Sequence, residues 1–210
     1  MAPWVAIVAG LFGSALGVPL VRIAERMLRI RRRFSPPVLV VAVAATGVLI
    51  ALVVWVFGAG WELPAYLYLS FIAVVLSVVD LAEKRLPNAL VYPSLLVLPV
   101  LLTLAAAATG SWPALLGACI GGASLFVFYF VLALISPAGI GMGDVKLAAV
   151  IGLALGYLGW TPLLVGSLGG FLVGSLVALV ALAARRVTLR GSIPFGPSML
   201  AGAFLGVLLA

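Results

Sequence analysis

The sequence contains no histidine and a single cysteine, Cys119. Neither a disulfide framework nor a zinc cluster can be assembled from that inventory within the chain. Serine–histidine and cysteine–histidine catalysis are excluded with them. Charge is also scarce. Only 8% of the 210 residues are charged, and five are acids: Glu25, Glu62, Asp80, Glu83 and Asp144. Strict alternation of apolar and polar residues, the mark of a spanning β-barrel, is missing from runs such as LLVLPVLLTLAAAA and LVGSLVALVALAA.

What the chain has in excess is apolar side chain. It is 66% hydrophobic, with a mean hydropathy of +1.39. A run of about 20 apolar residues spans the hydrocarbon layer as a helix, and here such runs follow one another across short polar breaks. The expected fold is therefore all-α, a polytopic membrane protein with about eight transmembrane helices. The predicted spans are 3–21, 37–58, 64–81, 89–108, 113–135, 144–159, 162–184 and 193–209. No soluble domain, long linker or low-complexity tail interrupts them, so residues 1–210 are read as one membrane-embedded domain. Cys119 falls inside an apolar run and is read as a small core residue. Glycines at four-residue spacing (Gly13/Gly17, Gly117/Gly121, Gly152/Gly156, Gly166/Gly170/Gly174, Gly202/Gly206) predict close helix packing.

The formal net charge of +7 raises nucleic acid as a partner, but the placement of the charges argues against it. The basic residues are six arginines between Arg22 and Arg33, then Lys84 and Arg85, Lys146, and Arg185, Arg186 and Arg190. With eight spans, all of these fall on one side. The positive-inside rule makes that side the cytoplasm and both termini external. Residues 22–36 form the basic cytoplasmic loop. Ile23, Met27 and Ile30 share a helical face there and suit contact with membrane lipid, although retention of the loop inside is explanation enough. No basic residue precedes the first span, which argues for an anchor rather than a cleaved signal peptide. Trp4, Trp55, Trp61, Trp112 and Trp160 fall near the opposite boundary, where interfacial anchoring explains them without a ligand.

Glu25 lies among arginines and Glu62 in an outer loop, so both are read as solvated, while Glu83 adjoins Lys84 and Arg85. Asp80 ends the run LYLSFIAVVLSVVD, and Asp144 precedes the run VKLAAVIGLALG. A carboxylate at the bilayer centre costs about 2.5–3.5 kcal/mol and less near an interface. Both aspartates therefore belong to the cytoplasmic edge, at similar depth on different helices. Two carboxyls facing one site share a proton, and such a pair can activate water against a peptide carbonyl with no metal or other cofactor. Asp144 starts its helix, where the dipole favours negative charge, and Asp80 ends one. That makes Asp144 the base and Asp80 the proton carrier, although Lys84 and Arg85 act in the opposite direction. Gly141 and Gly143 lack Cβ and would let a substrate segment or a neighbouring helix reach the carboxylate. The alternative reads Asp144 as a helix cap among loop glycines.

The segment GMGDVK, Gly141 to Lys146, resembles the GxGD motif of intramembrane aspartyl proteases. Its wider form GIGMGDVKLAAVIG is similar to the prepilin peptidase branch, which includes type IV leader peptidases and archaeal preflagellin peptidases. DLAEKRLPNALVYP, from Asp80, resembles that family's first catalytic aspartate and the following Pro-Asn signature. IPFGPSMLAGAFLG, from Ile193, is similar to the start of its last helix. The resemblance, over residues 64–210, implies Asp80 and Asp144 as the catalytic pair. Gly141, Gly143 and Lys146 become motif residues, with Pro87 and Asn88 beside the site. It implies an endopeptidase that removes the basic leader of type IV prepilin-like precursors at the cytosolic face of a prokaryotic inner membrane. Many bacterial members carry a zinc-binding cysteine insert between the first two spans, associated with N-methylation. Here that connection has no cysteine, which predicts a peptidase without the methylating insert and without S-adenosylmethionine. Two other readings remain: an ion-coupled transporter using Asp80 and Asp144 as ion sites, and a non-catalytic scaffold that holds pilin-like helices. Lys146 is equally open to snorkelling at the interface. Asn88 is read as capping the fourth span.

Overall fold

In hydrocarbon every backbone N–H and C=O must be satisfied internally, and a helix does this within one segment. The computed structural model describes residues 3–30, 33–136, 139–185 and 193–210. Arg31, Arg32, Arg186 and Arg190 lie outside the described residues. Among those residues the chain forms eight α-helices: α1 (Pro3–Met27), α2 (Pro36–Phe57), α3 (Leu63–Glu83), α4 (Asn88–Thr109), α5 (Trp112–Ile135), α6 (Met142–Leu158), α7 (Trp160–Ala183) and α8 (Gly196–Val207). Prolines in the first turn of α2, α3, α5 and α8 sit where the missing N–H has no intrahelical acceptor. Gly58 and Gly110 close α2 and α4 with φ of 58° and 73°.

Six of the helices described, α1 to α5 and α7, are long and apolar enough to cross a membrane. The chain is a polytopic all-α membrane protein. Two predicted spans differ from the rest. α6 has 17 residues and α8 has 12; at 1.5 Å per residue α8 is about 18 Å long, short of a hydrocarbon core of about 30 Å. α1 runs past the predicted boundary at residue 21 to Met27. Arg22 and Arg26 end the apolar run but not the helix, because long basic side chains turn outward from an unbroken backbone.

Glycines set the tightest contacts. α5 lies against α6 where a Cβ on Gly121 would come within 2.6 Å of the Gly152 carbonyl oxygen. α7 meets α8 in the same manner through Gly170 and Gly202. The four-residue spacing read from the sequence is thus a packing feature. Because Gly117, Ala118, Gly121 and Gly122 occupy the α5 face turned to α6, Cys119 is exposed on the other side rather than buried.

α3 is the most buried of the long helices, and α6 is buried along nearly its whole length after Lys146. The Tyr66 hydroxyl on α3 donates to the Ala154 carbonyl on α6 at 2.7 Å, deep in the core, with the Phe57 ring stacked on Tyr66. The end of the bundle that carries the charges is also tied together. Glu83 Oε1 accepts the backbone N–H groups of Arg29 (2.9 Å) and Ile30 (3.4 Å). Its Oε2 lies 2.6 Å from Arg85 Nε, and Arg85 Nη2 donates to the Met27 carbonyl at 2.6 Å. Glu25, expected to be solvated, accepts the Phe34 N–H at 2.8 Å. Glu83 therefore holds the connection after α1 against the α3–α4 turn, while Glu25 ties the far end of that connection back to α1.

Candidate active site

Asp80 lies in the last turn of α3 and is 4% exposed. The chain turns sharply just after it. Lys84 closes α3 with φ 50°, donating its N–H to the Asp80 carbonyl at 2.7 Å, and α4 starts after Pro87. The Asp80 carboxylate is met by a third element: the backbone N–H of Gly196, the first residue of α8, donates to Oδ2 at 3.0 Å. Helix N-termini present unpaired N–H groups, so a carboxylate there replaces part of its lost hydration.

Asp144 is the third residue of α6. Gly141 takes the N-cap position with extended backbone (φ −80°, ψ 154°). Its N–H donates to Asp144 Oδ2 at 3.0 Å, while the Asp144 N–H returns to the Gly141 carbonyl at 3.0 Å. Asp144 does cap its helix, from the third position rather than from the cap itself. One capping bond leaves a carboxylate with several unused lone pairs.

The two aspartates line one cavity of about 280 Å³, together with Lys84, Arg85, Leu86, Asn88 and the Gly141–Lys146 segment. Asp80, Asn88, Gly141, Gly143, Asp144 and Lys146, all singled out from the sequence, meet there. Pro87 does not line the cavity; it holds the N-cap position of α4. Among the described residues, positive-φ glycines are Gly58, Gly110 and Gly159, so neither motif glycine needs a conformation closed to other residues. Gly143 provides room instead: a Cβ there would sit 3.1 Å from Leu86 Cβ. Asn88 does not cap α4, for which no side-chain cap bond forms. Its Oδ1 accepts from Lys146 Nζ at 3.1 Å, and the ammonium lies 4.5 Å from the centre of the Tyr92 ring. Lys146 therefore reaches across to α4 rather than simply snorkelling.

The model of the type IV leader peptidase family matches residues 67–183, more than half the chain. The chain belongs to the type IV leader peptidase family. Both aspartates fall inside the family match, whereas α8 and the Gly196 N–H lie beyond it. The chain is 38% identical over 154 residues to the prepilin leader peptidase/N-methyltransferase of Xanthomonas campestris pv. campestris, covering 72% of this chain and 52% of that protein. It is 35% identical over 155 residues to the protein of that name from Bacillus subtilis, covering 72% and 58%. With the Pseudomonas aeruginosa protein it shares 32% over 165 residues, covering 78% and 56%. The chain thus spans about half the length of the curated relatives it matches. No solved structure matches it significantly. Family membership and six apolar helices mark a multi-pass inner-membrane protein.

The role of Gly196 was not read from the sequence, although the segment IPFGPSML that carries it stood out. Pro197 one residue later signals a helix start, but nothing local announces which carboxylate that start will meet. Leu86 and Tyr92 were missed for the same reason: their partners are distant in sequence.

Proposed function

We propose that this chain is a membrane aspartic endopeptidase that cleaves the leader from type IV prepilin-like precursors at the cytosolic membrane face. The observation that carries the reading is the single cavity lined by Asp80 and Asp144, held by the ends of α3, α6 and α8. Two carboxyls in one small site supply a base and an acid without a metal. Asp144, the more exposed of the two, takes a proton from water as the water oxygen attacks the peptide carbonyl carbon. Asp80 gives its proton to the carbonyl oxygen, forming a tetrahedral diol. On collapse the C–N bond breaks, one diol hydroxyl returns its proton to Asp80, and the proton on Asp144 passes to the leaving nitrogen. The pair thereby regains its starting state after consuming one water.

The cytosolic placement is supported by Arg29 of the α1–α2 connection and by Lys84 and Arg85 of the α3–α4 turn, which gather at the cavity end of the bundle. That orientation puts the start of α1 outside, whereas α8 opens at the cavity and is too short to cross the hydrocarbon. The connection from residue 28 to residue 35 holds no cysteine, which supports a peptidase without the zinc-bearing insert and without methyl transfer. Co-expression of a prepilin-like precursor with wild type, Asp80→Asn or Asp144→Asn tests the reading. N-terminal sequencing should find a new precursor terminus with wild type alone. A cut that persists in either variant overturns it.

A further inference from the structure

Lys146 follows Asp144 by two residues, a spacing that sends side chains to different faces of a helix. Lys146 nonetheless lines the same cavity, and Asn88 Oδ1 and the Tyr92 ring hold its ammonium from α4. Neither partner is anionic, so neither neutralises the charge they position. An ammonium has three donors; Asn88 takes one, and a ring face attracts the cation without accepting a conventional bond. Arg85, another cation on this cavity, is committed to Glu83 and to the Met27 carbonyl. Stability is a weak reason for such a contact, since Tyr92 is 54% exposed and surface charges contribute little to folding.

We propose that Lys146 is a substrate-binding residue: its ammonium donates to a peptide carbonyl of the bound precursor, and Asn88 and Tyr92 are its positioning residues. The inference rests on the endopeptidase reading above and names the contact that holds the peptide across the aspartate pair. A donor on the α4 side of the cavity that Asp80 and Asp144 line fixes the register of an extended segment. It acts on the bound ground state and the transition state alike, so its loss appears in KM.

The test is steady-state cleavage of a purified precursor by the full chain in detergent or proteoliposomes. Lys146→Met should raise KM about tenfold or more, the scale of one charge-assisted hydrogen bond, with kcat changed far less. Asn88→Ala and Tyr92→Leu should move KM in the same direction by less, and Tyr92→Phe, which keeps the ring face, should lose less than Tyr92→Leu. Asn88→Ala combined with Lys146→Met should be no worse than Lys146→Met alone, because Asn88 acts through the ammonium. If Lys146→Met does not fold, the Asn88 and Tyr92 variants carry the test, since they keep the cation. The proposal is overturned by an unchanged KM, by a loss confined to kcat, by multiplying losses in the double variant, or by an effect that vanishes on a precursor without acidic side chains near the cut. Cleavage that survives in Asp80→Asn or Asp144→Asn would instead sink the endopeptidase reading itself.

Discussion

The backbone N–H of Gly196, which opens α8, donates to Asp80 Oδ2 at 3.0 Å across 116 residues of sequence. A Cβ at position 196 would lie 2.9 Å from that same oxygen and 3.1 Å from Leu86 Cδ2. The close approach of α8 to the carboxylate therefore depends on a residue without a side chain. It brings α8, which is too short to span the hydrocarbon, into the candidate site.

Gly196→Ala should thus act on the site more than on the fold. Once Asp80 has given up its proton, the Gly196 N–H is a charge-assisted contact of about 1.5–3 kcal/mol, so displacing it predicts about a ten- to hundredfold slower cleavage. Thermal unfolding in detergent should shift only modestly. A variant that melts far earlier, yet cleaves normally when folded, contradicts this assignment.

The two motif glycines should separate. A Cβ on Gly143 would press on Leu86 at 3.1 Å, whereas one on Gly141 meets Asp144 Oδ2 at 3.4 Å, an ordinary contact. Overpacking costs about 1–3 kcal/mol, so Gly143→Ala should lose clearly more activity than Gly141→Ala. The reverse order, read from initial cleavage rates at equal expression, would show that room beside Leu86 is not what position 143 supplies.

Glu83 fastens the connection after α1 to the α3–α4 turn through Arg29, Ile30 and Arg85. Glu83→Ala should release that segment. Trypsin should then cut near Arg29 and Arg33 markedly faster in detergent-solubilised protein, while the melting temperature moves little. Equal digestion rates in wild type and variant would mean that the segment is held by other contacts.

Much of this molecule is legible in its sequence because lipid imposes simple rules. Hydropathy marks eight helices, and glycine spacing marks the α5–α6 and α7–α8 contacts. Asp80 and Asp144 stand out because acids in so apolar a chain are expensive unless used. Hydropathy fails at the charged ends. It stops α1 at Arg22, although nothing there breaks the backbone, and it gives α8 a full span although the helix covers 12 residues. The assumption that hydrophobic means buried also fails at Cys119, where glycines take the packed face and the thiol is left outside. Contacts such as Glu25 with Phe34, Lys146 with Asn88, and Gly196 with Asp80 have no periodicity to read. They arise only when the helix ends converge.

The meeting of the two carboxylates can be probed without any substrate. In a Cys119→Ser background, cysteines placed at positions 80 and 144 should be joined in membranes by a short bifunctional thiol reagent. Electrophoresis after proteolysis between α3 and α6 should show the two fragments linked. Single-cysteine controls that each react, alongside a double variant whose fragments stay separate, would contradict a shared site for the two aspartates.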